Sequence, residues 1–326
     1  MTAVLVAGGA GYVGSHACKA LAAAGHRPIV YDNLSTGHRA AVRWGDFVEG
    51  DLCDGETLRA VMRQYKIGAV MHFAASANVG ESMRDPALYF RNNVANTLTL
   101  LTAMQEEGVK AIVFSSTCAC YGTPLRLPLD ETHGHDPVSP YGESKAMVER
   151  MLRWFGEIHG LRWLALRYFN AAGADPDGEI GEDHAPETHL IPLAIMTAMG
   201  RRPGLDILGT DYPTPDGTAI RDYVHVSDLA QAHLRGLDHL LDGGASMALN
   251  LGTGRGHSVR EVVAAVEAQA GASLPIRLAD RRPGDPPILV ADPRRSAEVL
   301  QWRPQMSELA GIVETAWNWH IRRHNV

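Results

Sequence analysis

Cysteine is scarce in this chain: four in 326 residues, at Cys18, Cys53, Cys118 and Cys120. None stands in a C-x-x-C pair and their spacing suits no zinc site, so no metal is expected. Small disulfide scaffolds carry far more cysteine, and a chain near 300 residues can bury roughly 75% of its unfolded surface without staples. A reduced, cytoplasmic protein is the expectation. Long hydrophobic runs are missing too, since no apolar stretch approaches the ~18 residues of a membrane span. The apolar start TAVLVAGGAGYVG has no basic leader and is too broken by glycine for a signal peptide. Nor is there an excess of positive charge: 30 Lys+Arg stand against 37 Asp+Glu, a net charge of -7. Nucleic-acid binding needs a basic face, so neither nucleic acid nor membrane is an expected partner. An anionic ligand must meet local Arg or Lys.

What is present is ordinary globular material, 45% hydrophobic and 21% charged. At about 150 residues per domain it makes about two domains. Short apolar runs alternate with longer helical patterns. Strands are expected at Ala3–Ala7, Pro28–Asp32, Ala69–Phe73, Ala111–Ser115 and Trp163–Tyr168, with helices at Tyr12–Ala24, Gly55–Tyr65, Ala87–Glu107 and Pro140–His159. Such alternation predicts an α/β fold, a Rossmann-type doubly wound parallel sheet with right-handed connections. After about Asn170 the texture changes. AAGADPDGEIGEDHAPETH, GTDYPTPDGTAIRDY and DRRPGDPP read as loops, with helices near Leu190–Met199, Ser258–Ala270 and Glu308–His320. Long ordered loops in an enzyme usually carry function. The expected division is therefore 1–170, a nucleotide-binding domain, and 171–326, mainly a smaller α/β substrate-binding domain, with segments near 218–255 returning to the first.

GGAGYVG places Gly8, Gly11 and Gly14 between a strand and a helix. A turn of this kind lets the backbone approach a pyrophosphate, and the helix start offers free N–H groups and a positive dipole end. The same spacing also serves plain turn and helix packing. Asp32 adds chemistry: a carboxylate ending the second strand can bind both ribose hydroxyls and repels a 2′-phosphate, which favours NAD over NADP. Asp51 lies just after the run FVEG and reads alone as a loop acid.

YGESK sets Tyr141 and Lys145 at i and i+4, one face of a helix. Bringing a phenol from its usual pKa of about 10 to near 7 takes about 4 kcal/mol. A cation ~5 Å away at an effective dielectric of 20 supplies roughly 3 kcal/mol, and desolvation opposes it. A second positive charge, such as an oxidised nicotinamide, makes up the difference. FSSTCACYG follows a strand at the sheet edge where open α/β sheets bind ligands. Its Thr117 can hold a substrate oxygen while Tyr141 moves a proton, or act as a turn residue.

Together and in this order, GGAGYVG, Asp32, FSSTCACYG and YGESK resemble the extended short-chain dehydrogenase/reductase superfamily. HFAASANVGES, LYFRNNV, SPYGESK, RYFNAAGA, GTDYPTPDGTAIRDYVHVSDLA, NLGTG and RRPGDPP narrow the resemblance to its UDP-glucose 4-epimerase family, from about Ala3 to His320. The resemblance implies NAD as cofactor, a UDP-sugar as substrate, and interconversion of UDP-galactose and UDP-glucose through a 4-keto intermediate. It makes Thr117, Tyr141 and Lys145 the catalytic set. Gly8, Gly11, Tyr12, Val13, Gly14, Asp32, Asn33, Asp51, Leu52, Phe73, Ala74, Ala75, Asn92, Ser115 and Tyr168, with Tyr141 and Lys145, fall at cofactor positions. By that resemblance Asp51 meets the adenine ring.

Thr117, Asn170, His189, Arg221, Arg282 and Asp285 fall where the family holds the nucleotide sugar. Guanidinium forks suit a pyrophosphate, although both arginines also read as loop surface, and His189 equally as a helix-start residue. Three departures stand out. Ala77 replaces a Lys that contacts cofactor in the best-known bacterial form, Leu289 replaces a bulky aromatic that narrows the sugar pocket, and Ala7 stands where Thr is usual. Leu289 leaves tolerance for an N-acetylated sugar open. UDP-xylose/UDP-arabinose and UDP-N-acetylhexosamine 4-epimerases are the alternatives. A nucleotide-sugar dehydratase or decarboxylase needs an acid directly after the catalytic Thr, where this chain has Cys118 and Ala119. A non-catalytic NAD-binding regulator on the same scaffold has no need of both Tyr141 and Lys145. The family forms homodimers through two long helices, whose counterparts are Ala87–Glu107 and Pro140–His159.

Overall fold

The computed structural model describes residues 1–282 and 285–324; Pro283 and Gly284 of the RRPGDPP motif lie outside the described residues. The first half runs β1 (Ala3–Ala7), α1 (Tyr12–Ala23), β2 (Arg27–Asp32), β3 (Asp46–Glu49), α2 (Gly55–Tyr65), β4 (Ala69–His72), α3 (Val79–Ser82), α4 (Pro86–Tyr89), α5 (Asn96–Glu106), β5 (Ala111–Thr117), α6 (Pro140–His159) and β6 (Arg162–Tyr168). The second runs β7 (Asn170–Ala172), α7 (Leu190–Ala198), β8 (Leu205–Leu208), β9 (Ile220–Arg221), β10 (Tyr223–His225), α8 (Val226–Leu241), β11 (Met247–Leu251), β12 (His257–Ser258), α9 (Val259–Ala270), β13 (Ile276–Ala279), β14 (Ile288–Leu289), α10 (Arg294–Leu300) and α11 (Leu309–His324).

Seven strands form one parallel sheet in the order β11-β6-β5-β4-β1-β2-β3. This is the doubly wound arrangement, reversing direction between β1 and β4. Alternation along each strand builds two cores. Val4, Val6, Val30, Met71, Val113, Leu164 and Leu249 face Leu21 of α1 and Leu229 and Leu237 of α8. Leu5, Ile29, Val70, Ile112, Phe114 and Ala165 face Leu58 of α2, Leu101 of α5 and Leu152 of α6. A third cluster joins Ile191 and Ile195 of α7, Leu205 and Ile207 of β8, Val262 and Val266 of α9, and Ile312 and Val313 of α11. Among the described residues, no helix is long and apolar enough to cross a membrane.

Several expectations need correction. The helix expected over Ala87–Glu107 is α4 and α5 joined by a π-helical segment, Phe90–Ala95. The wider turn faces Asn93 inward, where its amide receives Ser76 N (2.8 Å) and donates to Ser76 O and Ser144 Oγ (3.0 Å each); such turns recur at functional sites. Strand β4 stops one residue short of Phe73 because Phe73 N and Ala74 N both turn to Ala7 O, at 2.7 and 3.0 Å. The stretches read as loops hold β7, β9 and β10, too short to show alternation. Helix α8 is hidden in the sequence, because it follows β10 without a break and carries Gly236. That glycine lets α8 close on β6: a Cβ there would lie 3.2 Å from Leu164 Cδ1.

Candidate active site

The carboxyl ends of β1, β2, β4, β5 and β6 meet at the switch point. Gly8 turns the chain out of β1 at φ +82°, and a Cβ on it would lie 2.4 Å from Ala74 N. A Cβ on Gly14 would lie 2.2 Å from Gly8 O. The turn therefore fits glycine alone at these two places. Gly11 precedes α1 with no side chain capping the first turn, so the N–H groups of Tyr12 and Val13 are left for a ligand. Asp32 ends β2 and is 9% exposed. Its carboxylate accepts from Ala10 N at 3.0 Å and Leu34 N at 2.8 Å. Burial still raises its pKa, against those two bonds. No Lys or Arg is recorded within salt-bridge distance of it among the described residues. A half-satisfied carboxylate beside a glycine cradle fits the two hydroxyls of a dinucleotide ribose.

Around this cradle the expected cofactor residues gather unevenly. Asn33 Nδ2 donates to Asp51 Oδ2 at 2.7 Å. Asp51 also accepts from Cys53 N, which chiefly holds its pKa down. Leu52 is buried beneath them. Phe73, Ala74 and Ala75 leave β4 half-buried, while Ala77 is exposed. Asn92 Nδ2 donates to Ser76 Oγ at 3.2 Å. Tyr12 reaches away from the sheet and donates to Gly173 O at 2.6 Å, tying the first turn of α1 to the second lobe.

Beside the cradle stands α6, started by Ser139, whose Oγ accepts from Gly142 N, and by Pro140. It delivers Tyr141 (9% exposed) and Lys145 (4% exposed) to the ends of β5 and β6. Lys145 Nζ donates to Ser115 O at 2.9 Å and lies 4.8 Å from the Phe114 ring centre. Burial lowers its pKa to about 7, with the Glu149 carboxylate pulling the other way. Burial pushes the Tyr141 phenol above its usual value; the neighbouring Tyr168 adds to this and a hydrogen bond with Thr117 opposes it. Burial thus works against ionising the phenol. Thr117 Oγ1 accepts from Ala119 N at 3.1 Å, so it both caps the turn after β5 and faces the phenol. Ser115 Oγ and Tyr168 OH share a 2.8 Å hydrogen bond.

The expected sugar-nucleotide residues divide into two groups. Asp285 bridges Arg221 (3.7 Å) and Arg282 (2.9 Å). Arg221 pairs in register with Leu289 across β9 and β14, and Leu289 packs against the cluster that includes Cys118, Cys120 and Phe169. This brings Arg221 to the turn after Thr117: burial pushes the Cys118 thiol up to about 12 and the Arg221 charge opposes it. Asn170 joins them through its backbone, donating to Asp222 O at 3.0 Å. His189 does not engage this trio. It precedes α7 without capping it by its side chain and turns Nδ1 to Glu182 and Glu187, at 2.7 and 2.9 Å.

Two supporting residues escaped the sequence reading. Glu149 sits one turn beyond Lys145 and takes Ser116 Oγ at 2.6 Å and Arg167 Nε at 2.9 Å; the repeated i+4 step in YGESKAMVE is its signal. Buried Asp222 accepts from Thr253 N and Oγ1, Gly254 N and Ala291 N, at 2.7–3.2 Å. It ties the NLGTG turn to the strand carrying Leu289, and only the three-dimensional convergence exposes it.

Comparison with known proteins gives a consistent result. Residues 4–252 match the model of the NAD dependent epimerase/dehydratase family. The chain is 54% identical to UDP-glucose 4-epimerase of Rhizobium meliloti (strain 1021), over 98% of both chains. It superposes on the crystal structure of UDP-glucose 4-epimerase from Brucella ovis in complex with NAD with a TM-score of 0.95, at 54% identity, covering 97% of this chain and 98% of that one. UDP-glucose 4-epimerase from Bifidobacterium longum, solved with NAD+ and UDP, superposes with a TM-score of 0.95 at 36% identity, covering 99% of each chain.

Proposed function

The chain belongs to the NAD dependent epimerase/dehydratase family, and from that premise we infer that it interconverts UDP-galactose and UDP-glucose by epimerisation at carbon 4. It is an enzyme that uses NAD. The observation that carries the reading is the placing of a buried tyrosine–lysine pair beside a glycine cradle and an unpaired carboxylate, at the one sheet edge where two chain directions diverge.

We assign the steps to the chain's residues as follows. Gly8, Gly11 and Gly14 let the backbone approach the pyrophosphate of the cofactor, and Asp32 takes its ribose. When bound, NAD supplies a reversible hydride acceptor at carbon 4, so the sugar passes through a 4-keto stage. Tyr141, as phenolate, accepts the proton of the 4-hydroxyl and later returns it. Lys145 lowers the cost of that phenolate. Thr117 holds the substrate oxygen against Tyr141. Arg221 and Arg282 fit the UDP diphosphate, with Asp285 holding the two forks in place. A firmly held diphosphate beside an apolar wall at Leu289 suits a sugar that must turn over between the two hydride transfers.

The division into a cofactor domain, 1–170, and a substrate domain, 171–326, is supported by the third core cluster, with α8 and β11 completing the first domain's sheet. A homodimer through α5 and α6 is supported by Leu98, Trp154 and Ile158, exposed by 46%, 53% and 68% on those helices. We place the enzyme in the cytoplasm, in keeping with its four free thiols.

The test is turnover of UDP-galactose by the protein carrying its own cofactor, with no NAD added and products read by chromatography. The panel adds UDP-glucose, both N-acetyl sugars and UDP-xylose. UDP-glucose should form as the main product. No interconversion by cofactor-loaded protein removes the reading, and a rate concentrated on UDP-xylose or an N-acetyl sugar reassigns the substrate.

A further inference from the structure

The loop between β7 and α7 contains Glu-x-His twice within eight residues, Glu182-Asp183-His184 and Glu187-Thr188-His189. Folding brings all four side chains together, with one donor atom from each lying within 4.8 Å of the others. Both histidines present Nδ1 to the same oxygen: Glu182 Oε1 lies 2.7 Å from His189 Nδ1 and 3.1 Å from His184 Nδ1. Glu187 Oε1 lies 2.9 Å from His189 Nδ1, and its Oε2 is 3.7 Å from His184 Nδ1. The two carboxylates are nearly buried, at 5% and 7% exposure, whereas the imidazoles are 34% and 51% exposed.

Charge makes the cluster unusual. Two adjacent buried carboxylates require positive charge, and no Lys or Arg is recorded within salt-bridge distance of either among the described residues. The neighbouring Asp183 takes Arg323, at 2.8 Å. The two other groups of convergent His, Cys, Asp or Glu side chains among the described residues carry their own cation. Lys19 fills the space between Asp175, Asp177 and Glu179 at 2.7–2.8 Å, and Arg167 fills that between Glu149 and His135. Here the balance falls to two imidazoles whose ring centres are 5.2 Å apart. One divalent ion with two neutral imidazoles supplies the same charge without placing two imidazolium rings side by side.

We propose that Glu182, His184, Glu187 and His189 form a binding site for a first-row divalent metal ion, with two imidazole nitrogens and two carboxylate oxygens as ligands. Mixed nitrogen and oxygen donors in fourfold array suit Zn²⁺, with Co²⁺ as its spectroscopic substitute. The loop is braced for the role. Trp319 Nε1 donates to Glu182 O at 2.9 Å, and Glu187 Oε1 accepts from the backbone N–H groups of Thr188 and His189 at 2.6 and 2.7 Å. The site lies against the glycine-rich turn, with the His184 ring 6.3 Å from that of Tyr12. No step assigned above to the proposed reaction uses this ion.

The test uses the NAD-loaded enzyme, dialysed against chelator and then titrated with ZnCl₂ alone and with CoCl₂ alone. One Zn²⁺ per chain is expected, and Co²⁺ should give visible d–d bands of a four- or five-coordinate site. His184→Gln should weaken Zn²⁺ binding by at least about tenfold, the lower end of the losses seen even for groups beyond the ligands themselves. Cys53→Ser, which removes the exposed thiol, should leave binding intact. Failure of the unmodified protein to take up either ion at stoichiometric concentration overturns the proposal. So does uptake that His184→Gln leaves unchanged, or that Cys53→Ser abolishes.

Discussion

Replacing Lys145 by Met isolates the charge that the reaction is argued to need. Tyr141 and Lys145 share one face of α6 at i and i+4, where Cβ atoms stand about 5–6 Å apart, and both are buried. Taking about 5 Å between the two charged ends and an effective dielectric of about 20, a full ammonium charge stabilises a phenolate by at most ~3 kcal/mol. That is about 2 pKa units. Burial already drives the phenol upward, so losing the ammonium should move it further up. Below the Lys145 pKa of about 7, where the ammonium is charged, the phenolate fraction then falls by up to about a hundredfold, and kcat with it. The variant should be most impaired at the acid end of the range and should approach wild type as pH rises past about 7, where wild type loses the Lys145 charge. The assay is chromatographic turnover of UDP-galactose from pH 5.5 to 10, with bound NAD measured on each preparation. A deficit of equal size at every pH, with NAD bound normally, refutes the electrostatic role; Lys145 would then act by holding Ser115 O, to which it donates at 2.9 Å.

Tyr141→Phe should abolish most turnover while UDP-sugar affinity by calorimetry changes little, since only the proton-carrying oxygen is removed; retained turnover excludes Tyr141 as the base. Gly14→Ala puts a Cβ 2.2 Å from Gly8 O, a backbone contact that cannot yield as a flexible side chain does. It should lower the melting temperature and strip NAD from the purified protein, and a variant with normal melting and NAD content contradicts the geometry. Asp32→Ala should weaken NAD binding by about 1.5–3 kcal/mol, the usual worth of a charge-assisted bond, and narrow the preference over NADP. Fluorescence titration with both dinucleotides checks it, and unchanged discrimination would remove Asp32 from the ribose.

How much of this could be read from the chain depends on the range of the interactions involved. The inner strands β1, β2, β4, β5 and β6 are largely buried, so each is a local apolar run written within a few residues, whereas the edge strands β3 and β11 are half-covered and carry no such run. The same holds for the Tyr141 and Lys145 pair, because a helix turns one sequence interval into one face. The second lobe works differently. Strands of two or three residues such as β9, β12 and β14 pair across long separations, for example Ile220 with Ile288, and no local period announces them. Helix α8 was lost for the opposite reason: Gly236 reads as a breaker, yet it is what permits contact with Leu164.

The ionisation of the site separates motif from chemistry. From sequence, Lys145 is a fixed cation that acidifies a neighbour. In the folded protein the burial that brings the two together also lowers Lys145 itself to about 7 and raises the phenol. Spacing alone cannot rank these effects, because desolvation depends on what covers the pair, here Phe114, Tyr89 and Tyr168 from three separate segments. Glu149 then becomes part of the account. Placed one turn beyond Lys145 and held by Ser116 and Arg167, it is the carboxylate that opposes the loss of the ammonium proton. A tyrosine base in this setting depends on Lys145, on Glu149, on the side chains that cover the pair and on the charge of a bound cofactor, and the Y-x-x-x-K motif states only its first and last letters.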